Sequence, residues 1–319
     1  MWTSRLSIIV PSAAACILLI NVVTQAADRP EWAYPVNPPP PAHWDNVKTM
    51  TVPGSEKQYT MSQVNNPFGP PDWYPEEHPP MPQVVSNGGP RPAAPACALC
   101  HLTSGDGHPE SANIAGQPKD YIIRQMAAFK DEERNNVRAT PMINMAKALS
   151  DSEIEEAAGY FASLKPRPGY YKVVETQTVP KTNLSFGAMR LPTEDGKTEP
   201  LGNRIITIPQ NPQTVDLRDP HFGFLAYVPL GSLKRGEELA MTGAGKTIPC
   251  GICHGADFRG LAGIPRIAGQ HAIYLYRQLR DIRGGYRNDR DAVLMANVVG
   301  NLSDDDMIAL SAFMASRAP

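Results

Sequence analysis

The sequence has no cysteine to spare for a disulfide. It contains five cysteines in 319 residues, and four of them lie in two Cys-x-x-Cys-His pentapeptides, at 97–101 and 250–254. The fifth, Cys16, lies in an apolar stretch near the N-terminus. Every cysteine beyond that stretch therefore belongs to a pentapeptide. This excludes a disulfide framework and leaves no separate thiolate for catalysis.

The chain also lacks an excess of charge of either sign. Lysine and arginine number 30 against 32 aspartates and glutamates, and no acidic tail is present. Nothing is basic enough to suggest nucleic acid, so none is expected as a partner. A hydrophobic content of 42% is sufficient for real cores, and the length allows two small domains with connecting segments.

The N-terminus has the order of a secretory signal. Arg5 precedes an apolar stretch at 6–23, and the small-residue site Thr24-Gln25-Ala26 follows it. This order predicts a signal peptide over 1–26, an exported protein and a mature chain without a transmembrane span. The alternative is an uncleaved anchor, because the stretch is close to the ~18-residue minimum for a span, although Pro11 divides it. Peripheral association with the membrane stays open.

The two pentapeptides predict covalent attachment of haem. Two cysteines at this spacing can add their sulfurs to the two vinyl groups of one haem, and the histidine that follows then binds the iron. A single copy would leave a chance match or half of a zinc site open, but two copies do not. The sequence therefore predicts two molecules of haem c, with these attachment and ligand residues: Cys97, Cys100, His101, Cys250, Cys253 and His254.

The pentapeptides belong to a longer repeat with a shift of 153 residues. The tetrapeptide Ile-Ala-Gly-Gln at 114–117 recurs at 267–270, and Leu-Ser-Asp at 149–151 recurs at 302–304. A chance similarity would not keep the same shift over some sixty residues, so the chain contains a duplicated haem domain. Single residues in the same register are Tyr121 and Tyr274, Arg124 and Arg277, Gln125 and Gln278, and Met142 and Met295.

Each copy is expected to be mostly helical. Helices are predicted at 119–130 and 272–283, and another at 232–241, whose counterpart at 78–88 is rich in proline and short. Two capping boxes, Ser150-x-x-Glu153 and Ser303-x-x-Asp306, predict the start of a last helix in each copy.

The remaining segments have a different composition. Of 33 prolines, 17 fall between Pro30 and Pro95, which excludes a mainly helical segment. Its tryptophans and tyrosines favour an extended arm that buries its rings on a folded domain over a solvent-exposed linker. Strands are expected at 170–176 and 204–208 in the segment between the copies. The fold class is therefore mainly α, with two tandem domains joined by a partly β linker.

These boundaries give five parts. We predict a signal peptide at 1–26, a proline-rich arm at 27–84, a first haem domain at 85–166, a linker at 167–230 and a second haem domain at 231–319.

The repeated motifs resemble those of dihaem class I cytochromes c of the cytochrome c4 type. The resemblance covers roughly 85–164 and 231–317 and leaves out the arm and the linker. It implies two tandem class I cytochrome c domains, a periplasmic electron-transfer protein, and a histidine and a methionine on each iron. It also implies redox proteins as partners, with a dehydrogenase as donor and an oxidase or reductase as acceptor.

The repeat indicates which methionines are the candidate iron ligands. Three follow the first pentapeptide, but Met126 and Met145 have leucine and valine opposite them in the second copy, and only Met142 has a methionine, Met295. A thioether is the ligand expected opposite histidine in class I haems. We therefore predict Met142 and Met295 as axial ligands. His108 and His271 are expected at the surface or beside a haem rather than on the iron.

Two further contacts to haem are predicted. In class I cytochromes a proline carbonyl accepts a hydrogen bond from the ligand histidine; Pro265 matches that position, whereas the first copy has Ala112. Arg124 and Arg277, each with a tyrosine three residues earlier, could pair with haem propionates. The alternative is a solvated arginine beside a core tyrosine.

Electron transfer is the leading function, because two axial ligands on each iron leave no open position for a substrate. A catalytic dihaem oxidoreductase, of the peroxidase or thiosulfate-oxidising kind, is the alternative and requires one labile haem. A gas-sensing or structural haem module has no specific support.

Export and attachment predict the mass of the mature protein. We expect a chain that begins near Ala27 and carries two haems that survive denaturing electrophoresis, because thioether bonds are covalent. Intact-mass spectrometry checks this. A mass equal to the bare polypeptide, or one with a single haem added, would contradict the prediction.

Overall fold

The computed structural model describes residues 29–319. The predicted signal peptide and its cleavage site lie outside these residues. Within the described part, no helix is both long and apolar enough to cross a membrane.

Each copy of the repeat is helical, as predicted. The predicted helices at 119–130 and 272–283 are confirmed with those bounds, and the helix counterpart to 232–241 in the first copy is a single turn. The helices of the first copy are α2 (Gln83–Ser86), α3 (Ala98–His101), α4 (Lys119–Lys130), α5 (Thr140–Ala148) and α6 (Asp151–Ser163), after α1 (Met61–Val64). Those of the second are α7 (Ser232–Thr242), α8 (Gly251–His254), α9 (Ala272–Arg283), α10 (Arg290–Val299) and α11 (Asp304–Ser316).

Both predicted capping boxes are present. The Ser150 hydroxyl accepts from the Glu153 amide at 3.3 Å, and the Glu153 carboxylate accepts from the Ser150 amide at 2.8 Å. Ser303 and Asp306 repeat this arrangement at 3.2 and 3.0 Å. Each box satisfies two backbone groups that a helix start leaves without partners, and so fixes where α6 and α11 begin.

The linker between the copies forms small sheets and contacts both copies. Strand β3 (Tyr171–Glu175) pairs in parallel with β9 (Phe224–Val228), which pairs antiparallel with β8 (Ile206–Pro209). The predicted strands at 170–176 and 204–208 correspond to β3 and β8. Two short antiparallel pairs complete the segment: β4 (Thr178–Pro180) with β7 (Thr198–Pro200), and β5 (Thr182–Leu184) with β6 (Arg190–Pro192).

The proline-rich segment lies against the linker and the second copy. It contains one short hairpin, β1 (Thr49–Met50) with β2 (Tyr59–Thr60). The Trp32 ring lies 4.8 Å from that of Tyr276 in α9. Trp73 is fully buried, and its indole N–H donates to the carbonyl oxygen of Leu217 at 2.7 Å. Aromatic rings thus attach the segment at two separate places.

Helices α7 and α11 cross at a glycine. A Cβ placed on Gly236 of α7 would lie 2.1 Å from the Ala309 carbonyl oxygen of α11. Because that atom belongs to a helix backbone, it cannot move aside without moving the helix. The close approach therefore requires glycine at this position.

Two glycine-to-alanine substitutions should have opposite effects on stability. Gly236→Ala should lower the free energy of unfolding by about 1–3 kcal/mol, because the added methyl group overpacks the crossing. Gly159→Ala, in α6, should raise it by about 0.5–1 kcal/mol, since alanine favours helix and a Cβ there meets nothing within 4 Å. Urea unfolding of the haem-loaded protein, followed by circular dichroism, measures both. Equal effects of one sign would contradict the crossing geometry.

Candidate haem sites and the contact between the copies

The first pentapeptide forms one helical turn, α3. The amides of Cys100 and His101 both donate to the Cys97 carbonyl, at 3.3 and 3.0 Å. Residues three apart on a helix share a face, so the two cysteine side chains lie on one side of the turn. Cys97 is buried and Cys100 is partly exposed. This is the arrangement that two thioether bonds to one flat ring require.

The second pentapeptide repeats this turn in α8. The amides of Cys253 and His254 donate to the Cys250 carbonyl, again at 3.3 and 3.0 Å. Its surroundings are more open, since Cys253 is exposed and the Ile252 side chain is 66% exposed. The two sites are equal in local geometry and differ in their access to solvent.

Each histidine is held by a carbonyl oxygen eleven residues downstream. His101 Nδ1 lies 3.0 Å from the oxygen of Ala112, and His254 Nδ1 lies 2.8 Å from that of Pro265. A carbonyl only accepts, so Nδ1 carries the proton and Nε2 keeps its lone pair. Burial lowers the pKa of both rings, which favours the neutral form that binds metal. The predicted contacts of both histidines are present.

The two methionines in register lie on helices, not in loops. Met142 is in α5 and Met295 in α10, and both are half-buried. Met142 packs on the apolar cluster that contains Cys97, and Met295 packs on the cluster that Cys250 contacts. Met145, on the same helix as Met142, is 7% exposed inside the first core. The structure thus brings each predicted methionine into the same core as its pentapeptide.

The glutamines of the repeated Ile-Ala-Gly-Gln cross between the copies. The Gln117 amide group donates to the Arg266 carbonyl at 2.9 Å and accepts from the Arg266 amide at 3.0 Å. Gln270 donates to the Asn113 carbonyl at 2.7 Å. Asn113 and Arg266 are themselves 153 residues apart. The two copies therefore meet around an approximate twofold axis, and this contact accounts for the repeated glutamine.

Two buried arginines lie at the same contact. The amide of Asn135 donates to the Tyr286 carbonyl and that of Asn288 to the Glu133 carbonyl, both at 2.9 Å. This pair places the side chains of Arg134 and Arg287 between the copies, where they are 6% and 8% exposed. The side-chain oxygens of Gln125 and Gln278 each accept from both guanidinium groups, at 2.8–3.0 Å. Neither arginine was predicted to have a role, although the shift of 153 relates the two.

The predicted propionate partners are engaged elsewhere. Arg124 forms an ion pair with Asp291 at 2.9 Å and donates to the Gly263 carbonyl at 3.1 Å. Arg277 pairs with Glu110 at 2.7 Å, and positions 110 and 263 are again 153 apart. Both arginines therefore join the copies. The alternative of a solvated arginine is wrong for Arg277, which is buried.

Of the two positions expected for His271, the one at the surface is wrong, and the one beside a haem stays a prediction. Its side chain is 1% exposed, its ring lies 3.6 Å from that of Tyr171 and 5.4 Å from that of Phe224, and its pKa is held well below the usual value by burial. The linker strands, absent from the repeat, cover this residue. His108 is also enclosed, and burial lowers its pKa to about 3.

The residues present fit covalently bound haem. Each pentapeptide offers two thiols on one face and an imidazole with one nitrogen free. In the buried contact, Arg134 Nε has no hydrogen-bond partner among residues 29–319, which suits an anionic group such as a propionate. No cluster of three or more histidine, cysteine, aspartate or glutamate side chains that could hold a separate metal ion occurs within that range.

Comparisons with known proteins agree with this fit. The Cytochrome c family model matches residues 233–318. Cytochrome c-554(548) of Halomonas halodenitrificans is 38% identical over 79 residues, which cover 24% of this chain and 95% of that protein. Cytochrome c4 of Pseudomonas aeruginosa is 27% identical over 227 residues, 69% of this chain and 83% of the relative. The thiosulfate dehydrogenase electron acceptor of Thiomonas intermedia is 26% identical over 232 residues, 71% and 80% of the two chains.

The fold and the two attachment turns define a c-type cytochrome built from two tandem class I domains. The chain belongs to the cytochrome c family, and the relatives that align with both copies include cytochromes c4. Its cofactor is haem c, bound covalently, and the two copies account for two haems.

Proposed function

We propose that the protein is a periplasmic electron carrier that passes single electrons through two haems with histidine and methionine ligands. The observation that carries the proposal is the repeated geometry: a carbonyl fixes each pentapeptide histidine, and the methionine in register packs on the same core as the first cysteine of that pentapeptide. The proposed attachment residues are Cys97, Cys100, Cys250 and Cys253, and the proposed iron ligands are His101, Met142, His254 and Met295.

The chain's own residues would do three things for such a carrier. Bound haem c supplies a one-electron iron couple. The Ala112 and Pro265 carbonyls hold each imidazole in the tautomer that leaves Nε2 free. Met142 and Met295 would fill the opposite axial positions and so exclude water and small anions. The hydrogen-bonded contact between the copies would keep the two sites at a fixed separation.

The location and partners follow from the leader and from the relatives. The N-terminal sequence has the pattern of a secretory signal, and c-type haem is attached outside the cytoplasm. Relatives that align with most of this chain are named for accepting electrons from thiosulfate dehydrogenase. We therefore propose a dehydrogenase as the electron donor and an oxidase or reductase as the acceptor. Nucleic acid is not among the proposed partners.

Substitution of the methionines tests the ligand assignment. Met142→Ala and Met295→Ala should each lower the reduction potential of one haem and remove its methionine-to-iron charge-transfer band, because a thioether raises the potential. Met145→Ala is the matched control on the same helix. It should cost about 2–5 kcal/mol of stability as a core truncation and leave both bands intact. Loss of a band in the Met145 variant but not in the Met142 variant would reject the assignment.

Ligand binding separates a carrier from an enzyme. A redox titration should show two reversible one-electron steps, and the reduced protein should form no rapid carbon monoxide adduct at neutral pH, since the proposed ligands would fill both axial positions of each iron. Rapid binding at one haem, together with turnover of peroxide or thiosulfate, would replace the carrier with a catalytic dihaem oxidoreductase. In that case we expect the catalytic haem in the first copy, because Ala112 occupies the position that Pro265 has in the second copy.

A further inference from the structure

The linker places one arginine against the first attachment turn. Arg218 follows the short turn Val215–Leu217 and is partly buried. Its Nη1 donates to the Leu99 carbonyl at 2.6 Å. Leu99 directly precedes Cys100 in the first pentapeptide, and the Arg218 charge opposes the rise that burial causes in the pKa of the Cys100 thiol. The guanidinium group is therefore close to one of the proposed attachment points of haem.

Two further hydrogen bonds fix the orientation of this guanidinium group. Its Nε donates to the Val64 carbonyl at 3.1 Å, and its Nη2 donates to Asn65 Oδ1 at 3.2 Å. Both acceptors belong to the proline-rich segment. Each of the three nitrogen atoms thus has an acceptor, and the planar group with its rigid arrangement of donors suits such a contact. Arg218 therefore joins the linker, the proline-rich segment and the first copy.

The positive charge of Arg218 remains at this place. Its three acceptors are neutral oxygen atoms, and a guanidinium group stays protonated at neutral pH even though burial lowers its pKa. The charge of Asp216 also acts on it. That carboxylate is exposed, however, and salt and water screen exposed charges. A positive charge that no hydrogen-bonded carboxylate neutralises therefore lies beside the first turn.

The backbone conformation at this position disfavours a side chain. Arg218 has a φ of +58°, in the left-handed region that is unfavourable for a residue with a Cβ. Such conformations persist where the surrounding contacts require them, and here the three hydrogen bonds do. Variants that keep a Cβ retain the same backbone strain, so they can be compared directly with the parent protein.

The charges near the two ligand histidines are otherwise matched between the copies. Arg134 contributes to the lowered pKa of His101, and Arg287 contributes in the same way to that of His254. These arginines are 153 residues apart, so their effects on the two sites are alike. Arg218 belongs to the linker, which is not repeated. Among residues 29–319, the second turn therefore has no equivalent of this charge.

We propose that the charge of Arg218 raises the reduction potential of the haem of the first copy and leaves that of the second copy unchanged. One electron from a redox partner converts Fe(III) to Fe(II) and so removes one positive charge from the haem. This relieves the repulsion from Arg218, so the reduced form is favoured. The proposal rests on the proposed electron-carrier function and adds a direction to it. An electron shared by the two haems is shifted toward the copy that the linker covers.

Potentiometric titration of the full, haem-loaded protein tests this with two variants. Arg218→Gln removes the charge and keeps a donor for the Leu99 carbonyl, and it should lower the reduction equilibrium constant of one step at least about threefold. That fall equals roughly 28 mV, at 59 mV per tenfold. Arg218→Lys keeps the charge and should change neither step by more than about 1.5-fold. Unchanged steps in the glutamine variant, or equal falls in both variants, would overturn the proposal.

Arg204→Gln is the matched control. Arg204 is also a partly buried arginine of the linker, but its hydrogen bonds go to residues 199–201. Its loss removes the same charge and should change neither step by more than about 1.5-fold; a fall equal to that in Arg218→Gln would show an effect of net charge and would overturn the proposal. If Arg218→Gln does not fold, Arg218→His at pH 8 replaces it, because a partly buried imidazole is neutral there.

A third variant identifies the haem that responds. Met295→Ala should itself lower the potential of the second haem, so that the higher of the two steps belongs to the first. Adding Arg218→Gln should then lower the higher step, and a fall in the lower step alone would overturn the proposal. If Met295→Ala leaves both steps in place, the ligand assignment fails. A response of one step to Arg218→Gln would still support the effect of the charge, and a response of both would exclude it.

Discussion

The relative position of the two attachment turns depends on hydrogen bonds between side-chain amides and backbone across the contact of the copies. Gln117 both donates to and accepts from the backbone of Arg266, and Gln270 donates to that of Asn113. Loss of one partner would leave buried polar groups unsatisfied, at about 1–3 kcal/mol each. Such bonds also have a defined direction, which apolar packing lacks. The contact therefore fixes an orientation as well as a distance.

The two attachment turns have the same local geometry, but the segments outside the repeat give them different surroundings. Arg218 of the linker donates to the Leu99 carbonyl inside the first pentapeptide and to Val64 of the proline-rich segment. The counterpart of Leu99 in the second pentapeptide is Ile252, whose side chain is mostly exposed. One haem-attachment turn is thus covered by added chain and the other faces solvent. Duplication alone cannot produce this asymmetry; it requires chain that lies outside the repeat.

Helices with apolar periodicity and capping residues could be predicted from the sequence, and those at 119–130 and 272–283 are confirmed. The helices that carry Met142 and Met295 could not be predicted in this way. Thr140–Ala148 begins beside Pro141, which breaks a helix interior but is tolerated in a first turn. Arg290–Val299 was missed although Asp289 caps it. The burial of His271 depends on linker strands whose positions no repeat specifies.

A residue that recurs at equivalent positions has a role in both copies, but the repeat alone does not show which role. A residue that contacts a cofactor recurs in both copies, and so does one that crosses a twofold contact, because each crossing contact occurs twice. Arg124 and Arg277 belong to the second kind in this structure. The residues opposite the repeated glutamines do not recur, because Gln117 and Gln270 contact only the backbone of Arg266 and Asn113. The side chains at 113 and 266 differ and bind each other, since the Arg266 guanidinium group donates to Asn113 Oδ1 at 2.9 Å. The repeat therefore identifies the glutamine of each contact and not its partner.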